Sequence, residues 1–187
     1  MTVIGAIPDG QGGFYMGSDS LSVVSGNRCS TKEQKIFVRP DGWAVGVSGT
    51  GKFMDLLRDH WDTIDVSSGQ SVVDGLRSVL KGDDWEFGVR EGAPKWVDLN
   101  LVLCGGGKLW AIYTDLCLAL HDPNLTPGVF VGSGAEVAIG AAICGARAGD
   151  PPETVLRRAL EAACQIDIHC GGEIVVHHLP KREAPNV

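Results

Sequence analysis

Thr2 is the residue of this chain whose position points most directly to chemistry. It follows Met1 and opens the apolar run Thr2-Val3-Ile4-Gly5-Ala6-Ile7. If Met1 is removed, the chain begins with a threonine that carries both a hydroxyl group and a free α-amine. One residue then holds a nucleophile and its own general base, an arrangement known for covalent amide hydrolysis. The sequence therefore predicts hydrolysis of an amide bond by Thr2, on condition that Met1 is removed.

A second motif with chemical meaning is Gly46-Val47-Ser48-Gly49-Thr50-Gly51-Lys52, which matches a phosphate-binding loop up to its last position. That position requires Ser or Thr as a ligand of Mg²⁺, and Phe53 stands there instead. No acidic partner motif at the end of an apolar strand supports the loop. Nucleotide binding is therefore the weaker interpretation of this segment.

Hydrophobic periodicity and turn residues predict the elements that must position these side chains. Strands are predicted at residues 2–7, 14–17, 35–38, 43–47, 97–104, 109–113, 116–120, 129–131 and 173–179. Helices are predicted at residues 50–60, 71–80, 136–147 and 150–168. Hairpin strands combined with paired helices are typical of an α+β layered sandwich. No repeat and no linker divides the chain, so we predict a single domain over residues 1–187.

Charge and hydropathy argue against several classes of function. The formal net charge is −7 and the 16 Lys and Arg residues are scattered, which argues against a binder of nucleic acid or of an anionic membrane. No apolar stretch is long enough to span a bilayer and no signal peptide is visible, so we expect a cytoplasmic location. His177 and His178 are neighbours on a predicted strand and point to opposite faces, which does not suit one metal ion. We expect no metal and no other cofactor.

Six segments, spread over nearly the whole chain, carry a resemblance to a known family. In chain order they are Thr2-Val3-Ile4-Gly5; Gly17-Ser18-Asp19-Ser20; Lys35 before Ile36-Phe37; Val45-Gly46-Val47-Ser48-Gly49; Gly132-Ser133-Gly134 before an Ala-rich helix; and Ile166-Asp167-Ile168-His169-Cys170-Gly171-Gly172 before the last strand. In this order and spacing they resemble the proteasome β-type N-terminal-nucleophile (Ntn) hydrolases. That family includes the bacterial heat-shock peptidase subunit that pairs with an ATP-driven unfoldase.

The resemblance implies a role for each matching residue. Thr2 would be the nucleophile through its hydroxyl group, and its amine would be the general base. Lys35 would be the nearby cation, paired with Asp19. Gly46 would offer a backbone N–H to the oxyanion. Ser133 and Asp167 would steer protons and hold the amine. Cys170 also belongs to the implied catalytic set and stands where the family usually has a serine.

Elementary electrostatics supports this set of residues. A free α-amine has a pKa of about 7.7–8.0, already close to neutrality. A lysine ammonium nearby disfavours the protonated amine and lowers its pKa further. The lysine stays charged if a carboxylate such as Asp19 pairs with it, because an unpaired buried ammonium would lose its proton. The sequence thus contains every group that acyl transfer requires.

The resemblance also implies a fold and an assembly. The fold would be a four-layer αββα sandwich, the Ntn-hydrolase fold. The protein would be a threonine-type peptidase subunit of a closed homo-oligomeric ring, acting on peptides or unfolded proteins, with an ATP-driven unfoldase as an implied partner. Two alternatives stay open. One is a catalytically silent ring protein blocked by retained Met1, and the other is an Ntn amidohydrolase acting on small amides.

Overall fold

A computed structural model of the chain describes residues 2–24, 27–49, 51–82, 89–90, 93–94, 99–113 and 116–181. The strands are β1 Val3–Pro8, β2 Phe14–Asp19, β3 Ser22–Val24, β4 Asn27–Ser30, β5 Ile36–Val38, β6 Ala44–Gly49, β7 Val89–Arg90, β8 Ala93–Pro94, β9 Leu99–Gly105, β10 Lys108–Ile112, β11 Leu118–Leu120, β12 Val129–Gly132 and β13 Ile174–Leu179. The helices are α1 Gly51–His60, α2 Gly69–Gly82, α3 Ala135–Ala148 and α4 Pro152–Ile166, and a 3₁₀ turn at Trp61–Thr63 follows α1. Thr50 and residues 97–98, which were predicted to begin a helix and a strand, lie outside the described residues, as does Met1.

The first sheet joins the beginning of the chain to its last strand. Its order is β12-β1-β2-β13, and every pair is antiparallel. Val3 of β1 pairs with Gly132 of β12, and Asp19 of β2 pairs with Ile174 of β13. Segments from the beginning of the chain and from its second half therefore meet at one end of this sheet.

The second sheet has the order β11-β10-β9-β6-β5, and its pairs are also antiparallel. The first five residues of β6 are buried, as expected for a strand whose sheet is covered on both faces. β5 begins directly after Lys35 and forms the edge of the sheet next to β6. Lys35 therefore lies at the start of the edge strand of the second sheet.

Three buried clusters show how the layers are stacked. The core between the sheets contains Ile4 and Met16 of the first sheet with Val102 of the second. A second cluster packs β6 and β9 against α1 and α2. A third cluster packs β1 against α3 and α4. The order of layers is helices, sheet, sheet and helices, so the predicted four-layer αββα sandwich is confirmed.

Two local expectations were wrong. The second strand was predicted to end at Gly17, but β2 continues through Asp19. A buried polar residue is tolerated there because Asp19 is held by hydrogen bonds from the backbone and from Lys35. The hairpin of β3 and β4 was not predicted, because β4 is exposed over most of its length and has no alternation of apolar and polar residues.

Candidate active site

Thr2, Asp19 and Lys35 lie together at the ends of the two sheets. Thr2 directly precedes β1, Asp19 ends the neighbouring strand β2, and Lys35 directly precedes β5 of the other sheet. Their exposed fractions are only 2%, 0% and 3%. Charged side chains are almost never buried to this degree unless they are paired, so the contacts of this cluster decide its chemistry.

The ammonium of Lys35 donates to three acceptors. These are the Thr2 hydroxyl oxygen Oγ1, Asp19 Oδ1 at 2.8 Å and the backbone carbonyl of Leu21 at 2.7 Å. An ammonium has three N–H donors, so Lys35 has no donor left for another partner. The hydroxyl group of the candidate nucleophile is thus in direct contact with a buried cation.

Asp19 is fixed from several sides. Its Oδ1 accepts hydrogen bonds from the Thr2 hydroxyl group and from the Val3 amide at 3.0 Å. Its Oδ2 accepts a hydrogen bond from the Gly171 amide at 3.0 Å. These donors hold the carboxylate in one orientation. The pairing that the sequence predicted between Asp19 and Lys35 is present.

Burial sets the proton affinity of Lys35. Removal from water lowers the pKa of its ammonium, while the charge and hydrogen bond of Asp19 raise it without fully offsetting burial. The pKa therefore lies below the ordinary value of 10.5. A lysine in this state releases a proton more readily than a lysine at the surface.

The backbone of Thr2 is held from the first sheet. Its carbonyl oxygen accepts hydrogen bonds from the Gly134 amide at 3.4 Å and from Ser133 Oγ at 3.5 Å. Gly132, with φ of 98°, approaches so closely that a Cβ atom there would lie 2.1 Å from the same carbonyl oxygen. Only glycine fits this combination of conformation and contact. The predicted site residue Ser133 thus reaches the backbone of Thr2.

The loop after α4 brings Asp167 and Cys170 to the same region. Cys170 Sγ lies 3.4 Å from Asp167 Oδ2 and 4.0 Å from Ser133 Oγ. Burial alone would raise the pKa of Asp167, but hydrogen bonds from Ser133, the His169 amide and Cys170 outweigh it and lower the pKa. Burial and the nearby carboxylates raise the pKa of the Cys170 thiol to about 12, so this group is a neutral thiol. Ser133, Asp167 and Cys170 form a connected set that reaches Thr2 through its carbonyl.

The fold that carries this cluster occurs in solved structures, although no protein-family model and no curated protein sequence matches the chain. Thiobacillus denitrificans BPH is 15% identical, with a TM-score of 0.78 over 95% of this chain and 97% of that chain. Its complex with epoxomicin is 16% identical, with a TM-score of 0.77 over 96% of this chain and 98% of that chain. Eukaryotic HslV from Trypanosoma brucei is 17% identical, with a TM-score of 0.72 over 97% of this chain and 100% of that chain. The fold is of the proteasome type. The fold that the sequence resemblance implied is therefore confirmed.

Within this proteasome-type fold, the structure does not bring Gly46 to the site. Gly46 lies inside β6, and a side chain there would meet Ile4 in the core between the sheets. The Val47 amide donates to the Lys35 carbonyl at 2.9 Å, on the side of β5. Because N–H directions alternate along a strand, the N–H of Gly46 points the other way, towards β9. The prediction that Gly46 supplies the oxyanion donor is wrong.

Gly49 has the geometry that was expected of Gly46. It ends β6 two residues after Val47, so its N–H leaves the strand on the same side as that of Val47. At Gly49 this side is no longer covered by β5, whose pairing with β6 begins at Ile36. Gly49 lines a cavity together with Thr2 and Lys35. The sequence does not distinguish Gly49 from Gly46, because only the pairing of β5 with β6 shows which amide faces the cavity.

The phosphate-binding alternative is not supported by the proteasome-type fold. β6 continues through Gly49 and α1 begins at Gly51. A phosphate-binding loop needs several loop residues between the strand and the helix, and here Gly46 to Gly49 belong to the strand. Among the described residues, no group of three or more His, Cys, Asp and Glu side chains is placed to hold a metal ion.

Ser20 is a buried residue that the sequence analysis did not select. Its Oγ donates to the Thr31 carbonyl at 2.5 Å and accepts from the Glu173 amide at 2.7 Å. Its own amide donates to the Gly171 carbonyl at 3.1 Å. Ser20 therefore ties together the segments that carry Asp19, Lys35 and Cys170. Its partners lie 11 and 153 residues away in sequence, so no local pattern could have identified it.

We expect Ser20→Ala to remove the hydrogen bonds that its hydroxyl group makes with Thr31 and Glu173, and so to weaken the contact between these segments. Leaving buried backbone groups without their partner costs about 1–3 kcal/mol of unfolding free energy. If the cluster is the active site, displacement of the segments that carry it should also lower turnover by about tenfold or more. Urea denaturation and peptide hydrolysis measure the two effects. The matched control is Ser18→Ala, since Ser18 lies on the same strand, is equally buried at 2% exposure, and has no hydrogen-bond partner for its hydroxyl within the described part of the chain. Equal stability and turnover in the two variants would contradict the role of Ser20.

Proposed function

We propose that this chain is an N-terminal threonine hydrolase that cleaves peptide bonds. The observation that carries the proposal is the contact of the Thr2 hydroxyl group with the Lys35 ammonium, which is itself paired with buried Asp19. A cation at this position favours an alkoxide-like oxygen and disfavours a second positive charge on the α-amine of Thr2. The proteasome-type fold of the neighbours is consistent with this chemistry.

The proposed reaction begins once Met1 is removed, because an amine with an attached residue is an amide and not a base. The Thr2 hydroxyl oxygen attacks the carbonyl carbon of the scissile bond, and its proton passes to the free amine. The Gly49 N–H stabilises the oxyanion that forms, a contribution of about 2.7–4 kcal/mol in comparable sites. The C–N bond then breaks as the leaving amine takes that proton. Water hydrolyses the resulting ester in the same way and restores Thr2.

The remaining site residues position the reactive ones in this proposal. Asp19 keeps Lys35 charged despite its burial. Ser133 holds the Thr2 carbonyl, and Asp167 with Cys170 holds Ser133, which fixes the direction in which the amine points. Cys170 as a neutral thiol is a weaker hydrogen-bond partner than a serine hydroxyl.

Covalent labelling of Thr2 tests the proposal. Purified protein is analysed by intact-mass spectrometry before and after incubation with epoxomicin, the compound bound in a solved neighbour. We expect loss of Met1 and addition of one inhibitor in the natural chain, with no addition in Thr2→Ala. The matched control is Thr63→Ala, which removes a remote, exposed hydroxyl group and should leave labelling intact. Retention of Met1, or equal peptide turnover with and without the Thr2 hydroxyl group, would overturn the proposal.

We further propose that the subunit works in a cytoplasmic homo-oligomeric ring, with peptides or unfolded proteins as substrates and an ATP-driven unfoldase as partner. The proteasome-type fold supports this assembly. No helix in the described part of the chain has the length and apolar character needed to cross a bilayer. Sedimentation velocity tests the assembly, and a species no larger than a monomer would contradict it. Rings that are not labelled by epoxomicin would indicate the silent ring protein instead.

A further inference from the structure

A small cavity opens directly beside the Thr2 hydroxyl group. Its volume is about 70 Å³. Its apolar walls are formed by Leu21, Val23, Val47 and Met54. Gly49, whose N–H binds the oxyanion in the proposed reaction, also lines the cavity. A substrate whose carbonyl carbon is attacked by Thr2 therefore has one neighbouring side chain placed in or against this cavity.

The described lining of the cavity offers no free charge that could bind a charged substrate side chain. Lys35 is the only ionisable side chain in its lining, within the part of the chain that the structure describes. Thr2, Asp19 and Leu21 already occupy all three of its N–H donors. It therefore has no donor to offer to a substrate carboxylate. The described residues of the lining include no carboxylate that could pair with a substrate Lys or Arg. An unpaired charge is strongly disfavoured in a buried site.

The size and the wall residues point to an aliphatic side chain. A volume of about 70 Å³ holds on the order of five water-sized groups, which compares with the three or four heavy atoms of Val, Leu or Met. Met54 forms a flexible wall and is 8% exposed, while Val47 is fully buried. Methionine adapts its shape to an apolar neighbour, so Met54 is the wall residue that a substrate side chain would contact and displace.

We propose that this cavity selects an uncharged aliphatic residue on the acyl side of the scissile bond, and that Met54 determines this preference. The proposal rests on the proposed function, because it assigns the cavity to the substrate of Thr2. The preference excludes acidic and basic residues by charge and aromatic residues by size. It narrows the substrates to those that present Val, Leu or Met at this position.

A series of peptide epoxyketones that differ only in the residue next to the reactive carbonyl tests the preference. The rate of covalent addition to Thr2 is measured by intact-mass spectrometry for Leu, Phe, Arg and Glu. We expect Leu to react about 100-fold faster than Arg or Glu, a ratio within the range that pocket contacts supply. Arg, Glu or Phe reacting as fast as Leu would overturn the proposal while leaving the proposed function in place. Reaction with none of the four compounds would overturn the proposed function, and this inference with it.

A pair of substitutions at Met54 tests whether this residue sets the preference. Met54→Glu places a carboxylate in the wall, and Met54→Gln provides a neutral side chain of the same length. We expect Met54→Glu to accelerate the Arg compound about tenfold or more relative to Met54→Gln, and to slow the Leu compound. An unchanged ratio of Arg to Leu rates between the two variants would exclude Met54 as the determinant. Met54→Ala gives a second measurement that requires no buried charge, since a larger cavity should accelerate the Phe compound.

Discussion

Lys35→Met should abolish most of the peptide hydrolysis and destabilise the fold at the same time. The substitution keeps the length of the side chain but leaves the fully buried Asp19 carboxylate without its counter-ion. Removing one partner of a buried ion pair costs about 3–5 kcal/mol of unfolding free energy. Loss of the cation beside Thr2 also removes acid–base assistance, which is worth about 10²–10⁴-fold in rate. Urea denaturation and steady-state hydrolysis of a peptide measure the two losses separately.

A second substitution separates the structural effect from the catalytic one. In the double variant Asp19→Asn with Lys35→Met, no buried charge is left unpaired, so we expect most of the lost stability to return. Hydrolysis should stay low, because the cation beside the Thr2 hydroxyl group is still missing. Recovery of both stability and hydrolysis would show that Lys35 has only a structural role. Full hydrolysis in the single variant would contradict the proposed mechanism directly.

Gly132→Ala should lower stability and peptide hydrolysis nearly as much as Lys35→Met does, although it adds only a single methyl group. The φ of 98° at this position is unfavourable for any other residue, with a typical cost of about 1–3 kcal/mol. The new Cβ atom would lie 2.1 Å from the Thr2 carbonyl oxygen, and backbone atoms cannot move aside as a side chain can. Thr2 must therefore shift, and a displacement of about 1 Å can lower turnover about 10²-fold. Denaturant unfolding and peptide hydrolysis measure both effects.

Gly140→Ala is the matched control for this prediction. Gly140 lies within α3, and a Cβ atom there would have open space around it. We expect the control to raise the unfolding free energy by about 0.5–1 kcal/mol, because alanine favours the helix more than glycine does. Its hydrolysis should not change. If Gly132→Ala were as harmless as Gly140→Ala, the close approach of Gly132 to Thr2 would be refuted.

The sequence predicted those features that leave a local pattern. Strands such as β1 and β13 and helices such as α4 have the periodicity of their element, so they were found within a few residues of their ends. The pairing of Lys35 with Asp19 was also anticipated, because the resemblance and the need to neutralise a buried charge lead to the same residues. The hairpin of β3 and β4 was missed, since its residues are mostly exposed and carry no apolar alternation.

The errors at the site have a common physical origin. Gly46 and Gly49 are equally plausible in the sequence, and only the hydrogen bond from Val47 to Lys35 reveals that Gly49 faces the cavity. Ser20 depends on partners in two other segments, which no spacing within the chain indicates. Local patterns specify elements, whereas the direction of a single amide or hydroxyl group is set by the pairing between elements.

The pairing of β2 with β13 determines when the site is completed during synthesis. Asp19 and Lys35 emerge early from the ribosome. The Gly171 amide, which donates to Asp19, and strand β13, which pairs with β2, are made near the end. At a typical rate of about 5–20 residues per second, roughly 8 to 34 seconds separate Thr2 from Cys170, the first and the last of the candidate site residues. A growing chain thus carries its nucleophile without the groups that orient it. The candidate site is assembled only once the fold is nearly complete, so a growing chain lacks part of the set of groups that the proposed reaction requires.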